Sequence, residues 1–176
     1  VNEGLKNNDL ERAKTGIIKI RGNVGGINGS LNWLFYLRFI PFAGSYYADA
    51  KHFVAAFDYE LAAAEKILKV IEPNKQELGF TGQPIPGQDR IAQMVKILDK
   101  VLPQVSVIEP DMKKAADEVA RIDVSKYPEK YGSTKVRSRV DEAKNFITGA
   151  HYAVTRARPA LEAAPQALGH PDSKNY

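Results

Sequence analysis

The chain of 176 residues contains no cysteine. This absence excludes disulfide bonds, thiolate zinc sites, iron–sulfur clusters and cysteine nucleophiles together. Histidine is also scarce, since only His52, His151 and His170 occur, each in a different segment. None of them has the helical Glu-x-x-His or His-x-x-x-His spacing of metal ligands. We therefore predict no metal site, no cofactor and no catalytic residues.

Long apolar runs and nucleotide-binding motifs are missing as well. The longest stretch without charged side chains, 22–37, carries four glycines and several polar residues, so it is a poor membrane span. No Ser–His–Asp order, phosphate loop or dinucleotide fingerprint occurs. The net charge of +4 is not accompanied by a nucleic-acid-binding motif. The sequence thus favours neither an enzyme nor a nucleic-acid partner.

What the sequence does contain is a sustained heptad repeat. Apolar residues recur at alternating steps of three and four along four segments, and this spacing would scatter them over both faces of a strand. In the first segment the repeat consists of Leu10, Ala13, Ile17, Ile20, Val24, Ile27, Leu31 and Leu34. The other repeats run from Ala50 to Ile71, from Ile91 to Ile122 and from Val136 to Leu168. The pattern predicts four amphipathic helices with coiled-coil-like seams.

The predicted fold is all-α, an antiparallel up-down-up-down four-helix bundle. Its helices are expected at about residues 8–39, 45–72, 88–122 and 133–168. Pro41–Gly44 is predicted to form a tight turn, with Ser45 as the N-cap of the second helix. In this order, the turn and the loop at 123–132 share one end of the bundle, which we call the distal end.

Prolines test the helical interpretation. Pro103, Pro110 and Pro159 fall inside predicted helices, where each loses a backbone hydrogen bond and costs roughly 3 kcal/mol. All three occupy the heptad position farthest from the seam, so the helices are expected to be long and kinked, bending around the core. A break with a fresh helix beginning at Pro110 is the competing interpretation, because proline suits a first turn.

The chain is expected to be one domain. Residues 1–170 would form the bundle, and 171–176 would begin a linker to a downstream domain that is missing here. A start at Val1 and a polar end at Tyr176 favour a fragment of a longer protein.

Several short segments resemble a known family. They are the opening Leu5–Ala13, the turn Phe39–Gly44, the stretch Ala167–Pro171 and the final Lys174–Tyr176. Together they are similar to the N-terminal helical part of the bacterial "domain of unknown function 4012" family. The resemblance implies an exported cell-envelope protein, anchored by a membrane helix outside this chain and followed by a larger β-containing part. It implies no established activity and no catalytic residues.

Aromatic residues gather at the distal end. A possible binding tip for sugar rings, lipid or a protein consists of Trp33, Tyr36, Phe39, Phe42, Tyr46, Tyr47, Tyr127 and Tyr131. The favoured interpretation is instead a hydrophobic plug, because an open bundle end exposes apolar surface that must be covered.

Glycines crowd the outer face of the first helix. Gly22, Gly25, Gly26 and Gly29 lie opposite the seam, and each costs the helix up to about 1 kcal/mol relative to alanine. They could form a helix-packing face for a partner or a second copy. A locally loose or broken helix on an exposed surface is the favoured interpretation.

Basic residues outnumber acidic ones between Lys126 and Arg158. They could attract an acidic surface polymer or a membrane surface. Pairing with acids on neighbouring helices is favoured, because several of them flank the seam. Acids such as Asp58, Glu60 and Glu65 are predicted to be solvated helix-face charges.

Two classes of function follow from these observations. The first is a non-enzymatic structural or interaction module outside the bacterial cell, acting as a spacer or docking platform. The alternative is an extracellular ligand-sensing or ligand-binding bundle, which would use the aromatic tip or a pocket opened at the proline kinks.

Overall fold

A computed structural model describes residues 10–74 and 89–167. It contains four long α-helices, which are α1 (Leu10–Trp33), α2 (Ala43–Ile71), α3 (Asp89–Ala120) and α4 (Val136–Ala167). Short 3₁₀ helices occur at Phe35–Phe39, Glu72–Asn74 and Val124–Lys126. In these ranges the only extended pairing is an isolated bridge between Tyr131 and Thr134. The prediction of an all-α fold is confirmed.

Helix α2 lies at the centre of the packing, because it buries two faces. Val54 and Leu61 pack with α1, in a cluster that also holds Ile17 and Val24. Ala56 and Ala63 face the other way, into two clusters shared with α3 and α4. The small alanine side chains allow the neighbouring helices to approach α2 closely. The predicted second seam described only the first of these faces.

Helix α3 carries the seam that the sequence predicted best. Every described seam position on it is buried, namely Val105, Ile108, Met112, Ala115 and Val119, and the seam continues into the buried Ile122 just beyond the end of the helix. Helix α4 adds Ile147, which is completely buried against Ala115 and Val119. The earlier seam positions 91, 94, 98 and 101 are not among the side chains described.

Helix α1 departs from the prediction. Ala13, Ile17 and Val24 are buried, but the seam residues Ile20 and Ile27 are exposed. The packing partner of α1 is α2, so only one side of its seam is covered. An unbroken buried seam in the first helix is therefore wrong, because a seam needs neighbours on both of its sides.

Ion pairs between neighbouring helices run in opposite residue order. Lys14 at the start of α1 contacts Glu72 just beyond α2, with 2.6 Å between Nζ and Oε1, and Arg21 further along α1 contacts the earlier Glu65 at 2.6 Å. His52 early in α2 pairs with Glu118 of α3 at 2.7 Å, and Lys66 late in α2 pairs with the earlier Asp111 at 2.5 Å. Arg158 late in α4 pairs with Glu109 of α3 at 2.7 Å. These exposed or half-buried pairs orient the helices more than they stabilise them.

Helices α3 and α4 continue through their prolines. Pro103 and Pro110 lie inside α3, and Pro159 lies inside α4. All three rings are exposed, as their heptad position predicts. A fresh helix beginning at Pro110 is therefore wrong, since α3 already begins at Asp89. Bending at these residues stays a prediction.

Helix ends differ from the predicted ones where local pairing competes. The first helix ends at Trp33 and gives way to the 3₁₀ helix, rather than running to about 39. The last helix begins at Val136, because the bridge between Tyr131 and Thr134 holds the preceding residues. Most of the stretch between the second and third predicted helices, and the predicted linker at 171–176, lie outside the described residues.

Candidate functional site

The most exposed apolar surface of the described chain is a short run of consecutive residues. We call residues 33–42, from the end of α1 to the turn before α2, the tip segment. Its exposed apolar side chains are Trp33, Phe35, Tyr36, Phe39, Ile40 and Phe42. Trp33 is 75% exposed and Phe42 is 88% exposed. Soluble monomers rarely leave such a contiguous patch uncovered unless it binds something.

Backbone geometry at the turn holds Phe42 outward. Its φ is +68° and its ψ is −44°, and the Ala43 amide donates to the Pro41 carbonyl at 2.9 Å. This is a γ-turn of the positive-φ form, which is rare and strained. A bulky residue at such a φ is an outlier that costs of order 1–3 kcal/mol. An exposed aromatic at a strained position contributes nothing to the core that would offset this cost.

The tight turn at Pro41–Gly44 is confirmed, but its cap differs from the prediction. Phe42, rather than Ser45, occupies the N-cap position of α2. Ser45 lies inside the first turn and donates its hydroxyl to the Phe42 carbonyl at 2.9 Å. Helix α2 begins earlier than predicted because the chain reverses within two residues.

The hydrophobic plug that the sequence favoured is not formed by the tip segment. Trp33, Tyr36, Phe39 and Phe42 are all exposed. The physical reason is that, within the described ranges, α2 is the helix against which α1 mainly packs, so the end of α1 is left largely uncovered there. Within the segment, Trp33 and Tyr36 touch edge to face with ring centroids 6.3 Å apart.

Two other aromatic residues of the predicted tip instead connect the start of α2 with the loop before α4. Tyr46 and Tyr127 pack edge to face at 5.1 Å, and Tyr46 donates its hydroxyl to the Lys126 carbonyl at 3.0 Å. Tyr47 is half-buried on α2. Tyr131 is exposed in the loop that precedes α4. The eight predicted aromatics therefore share one end of the fold without forming one cluster.

A polar cluster beneath the tip was not predicted. Asp49 of α2 is 2% exposed, accepts a hydrogen bond from the Tyr127 hydroxyl at 2.7 Å and pairs with Lys126 Nζ at 2.7 Å. Burial, together with the hydrogen bond to Asp49, raises the pKa of Tyr127 well above its usual value. The phenol thus stays protonated and donating at ordinary pH. We call Asp49, Lys126 and Tyr127 the distal lock.

A sequence signal for the distal lock existed. Asp49, Ala56 and Ala63 are spaced by seven residues, so all three lie on the second buried face of α2. An acid on the same helix face as two small buried residues is itself expected to be buried. Because buried charges are paired, such an acid indicates a partner on another element. The lock fixes the α3–α4 loop on the start of α2, close to the tip segment.

A shallow, open concavity of about 440 Å³ lies beside this loop. Its lining residues are Val124, Glu129, Lys130, Lys135, Arg137, Ser138 and Asp141. Neither the tip aromatics nor the prolines inside the helices line it. Three cations and two acids line it, and Arg137 pairs with Glu129 at 3.8 Å, so its net charge is only weakly positive.

Some of the basic residues between Lys126 and Arg158 pair with acids on neighbouring helices, and others are exposed. Lys126 and Arg158 pair with acids on neighbouring helices, as predicted. Arg139 pairs only locally, with Glu142 at 3.3 Å. Lys130 and Lys135 are exposed in the loop. Interhelical pairing therefore accounts for part of the basic charge.

The glycine face is bare but not broken. Gly22, Gly25, Gly26 and Gly29 lie inside the continuous helix α1 and are exposed. A Cβ atom added at any of them meets nothing within 4 Å. The exposure that the sequence favoured is confirmed, and the helix break is wrong. No described residue of this chain packs on the face.

Alanine at these glycines is expected to stabilise the fold. Gly22→Ala and Gly26→Ala should each raise the free energy of unfolding by about 0.5–1 kcal/mol, because alanine orders the helix at lower entropic cost. Urea unfolding followed by circular dichroism measures this. A loss of stability in either variant would mean that the face is covered in solution, and light scattering would then identify a second copy.

Glu60 contradicts the prediction of a solvated charge. It lies between Ala56 and Ala63 on α2, is only half-exposed, and its Oε1 has no hydrogen-bond partner within the described ranges. Burial raises the pKa of Glu60 from 4.5 to about 7. His151 on α4 likewise has a buried Nδ1 without a described partner. Glu65, by contrast, pairs with Arg21 at 2.6 Å.

Glu60 is expected to make stability fall as the pH rises from about 4.5 to about 7. In this window the folded chain binds the Glu60 proton more tightly than the unfolded chain, so the slope is negative. Because the side chain is partly exposed, screening reduces the effect to about 1 kcal/mol. Glu60→Gln should add this amount at pH 8 and nothing at pH 4.5, measured by urea unfolding. Asp58→Asn on the exposed side of α2 is the control, and a pH profile of Glu60→Gln parallel to that of the parent would contradict the account.

Little else in the described chain resembles a reactive site. No group of three or more acidic or histidine side chains in the described ranges could hold a metal ion. His52 is engaged by Glu118, with 2.7 Å between Nδ1 and Oε2. None of the described helices is long and apolar enough to cross a membrane. No protein-family model, curated protein or solved structure matches the chain.

Proposed function

We propose that the chain is a non-enzymatic interaction module that docks through its tip segment. The proposal depends mainly on the exposure of five aromatic side chains within the ten residues from Trp33 to Phe42, where Phe42 lies in a strained γ-turn. Aromatic residues anchor interfaces, because they bury large area at low conformational cost. Their position outside the packed core leaves them available to a partner.

The bundle would act as a spacer that carries the docking surface. We infer an up-down-up-down order with kinked helices, which the opposite residue order of the interhelical ion pairs supports. The distal lock then holds the loop before α4 beside the tip segment. A place in the bacterial cell envelope, with a membrane anchor outside this chain, rests on the resemblance to the domain of unknown function 4012 family.

Photo-cross-linking in the producing cell tests the docking proposal. A photoreactive phenylalanine analogue replaces Phe42, and a matched control replaces Phe146 on α4, which is 71% exposed. The proposal expects an adduct specific to position 42. Equal yields at both positions, or none at position 42, would contradict it. The chemical nature of the adduct identifies the class of partner.

A ligand-binding bundle is the second candidate. The observation that favours it is the concavity lined by Lys130, Lys135 and Arg137, whose volume lies in the range of small-molecule sites. An anionic ligand would suit these three cations. Calorimetric titration with small carboxylates and phosphates tests this candidate, and Lys130→Gln should remove any binding that occurs there.

A further inference from the structure

Positive charge surrounds the tip segment. Residues 33–49 and 123–139 meet at the distal end through Tyr46, Tyr127 and Asp49. These two stretches hold six basic residues, which are Arg38, Lys126, Lys130, Lys135, Arg137 and Arg139. They hold three acids, Asp49, Asp123 and Glu129. Arg137 pairs with Glu129, and Arg139 pairs with Glu142 just beyond the second stretch. Arg38, Lys130 and Lys135 are the exposed basic residues that these pairs leave.

Exposed aromatic and basic side chains occur on both of these stretches. Phe42 and Trp33 are exposed in the tip segment, and Tyr131 is exposed in the loop before α4. Lys130 and Lys135 are exposed on that same loop. An acidic polymer would satisfy the cations but leave the tip aromatics in water. A surface that is apolar just below a layer of negative charge would satisfy both.

We propose that the tip segment inserts its aromatic side chains into the interface of a bilayer that contains anionic lipids. The inference rests on the docking function proposed above and names its partner. Tryptophan, tyrosine and phenylalanine favour the headgroup region, and a peripheral protein needs both apolar insertion and basic residues for stable binding. Lys130 and Lys135 then contact anionic headgroups, each contributing about fivefold in affinity.

Vesicle binding by the 176-residue chain tests the proposal. Trp33 is the only tryptophan, so its emission reports insertion directly. With phosphatidylglycerol vesicles we expect co-sedimentation and a blue shift of Trp33 emission, both weakened by salt. Pure phosphatidylcholine vesicles should bind the chain much more weakly.

Matched variants separate the contribution of the aromatic side chains to vesicle binding from that of the lysines. Phe39→Ser with Phe42→Gly should lower the affinity for phosphatidylglycerol vesicles at least tenfold. Glycine relieves the backbone strain at position 42, so this variant is expected to fold, and its melting curve checks this. Lys130→Gln with Lys135→Gln should lower the affinity for anionic vesicles alone. The control Phe146→Ser with Tyr152→Ser, on α4, should bind like the parent.

The outcomes also separate this inference from the docking function. Failure to bind phosphatidylglycerol vesicles, or a folded Phe39 and Phe42 variant that binds like the parent, overturns the lipid proposal. If a protein adduct still forms at position 42 in cells, docking survives and its partner is a protein. Failure of both experiments overturns both proposals.

Discussion

Asp49→Ala is expected to lower the free energy of unfolding by about 3–5 kcal/mol. The substitution removes both bonds of a carboxylate that is 2% exposed. It leaves the Tyr127 hydroxyl without its acceptor, and it leaves the Lys126 ammonium only a long contact of 3.4 Å to the Ser45 carbonyl. A domain of this size is stabilised by roughly 5–15 kcal/mol, so the loss is a large share of the total. Urea unfolding measures it.

Two comparisons make the Asp49 result specific. Asp58→Ala, on the exposed side of the same helix, should change stability by less than about 0.5 kcal/mol. Tyr127→Phe alone should cost about 1–2 kcal/mol, and its effect should largely disappear in the Asp49→Ala background. A cost below about 1 kcal/mol for Asp49→Ala, or additive effects of the two substitutions, would mean that the distal lock is not formed.

Gly44→Ala is expected to destabilise the fold by about 1–3 kcal/mol, although alanine is the better helix former. A Cβ atom at position 44 would lie 2.7 Å from the Arg38 carbonyl oxygen. This contact is with backbone, so no side-chain rotation can relieve it. The turn must open, which strains the hydrogen bond from the Gly44 amide to the Ile40 carbonyl.

Gly22→Ala is the matched control, because it makes the same chemical change inside α1 without any nearby atom. The two substitutions should therefore have opposite signs. Thermal and urea unfolding of both variants measure the difference. A Gly44→Ala protein at least as stable as the parent would show that the chain does not reverse as described at Pro41–Gly44.

Periodicity predicted the core where a helix has neighbours on both sides of its seam. Helix α3 is such a case, and all its described seam residues from Val105 to Val119 are buried. The same repeat wrongly predicted that Ile20 and Ile27 of α1 are buried. A heptad repeat shows which residues share a face of the helix, but it does not show whether another element covers that face. The second buried face of α2 was missed because its alanines are too small to stand out as a seam.

The sequence predicted that aromatic residues gather at the candidate site, but it did not predict that those of the tip segment are exposed. Aromatic residues at the distal end were visible in the sequence, and the favoured plug was wrong for the tip segment. The side chains of the tip segment are exposed because α1 packs mainly against α2. This packing is a tertiary feature that the local sequence pattern does not predict. The strain at Phe42 also escaped prediction, because a positive φ at a bulky residue opposes its intrinsic preference. Asp49 was recognisable only once α2 was known to bury two faces.

Docking requires that the aromatic tip lie in water, available to a partner, rather than plug the end of the bundle. Trp33 tests it directly, because it is the single tryptophan of the chain and is 75% exposed. Fluorescence of the folded chain without lipid should show emission close to that of free tryptophan, with full quenching by iodide and acrylamide. A blue-shifted emission protected from both quenchers, in the monomeric folded chain, would contradict the account.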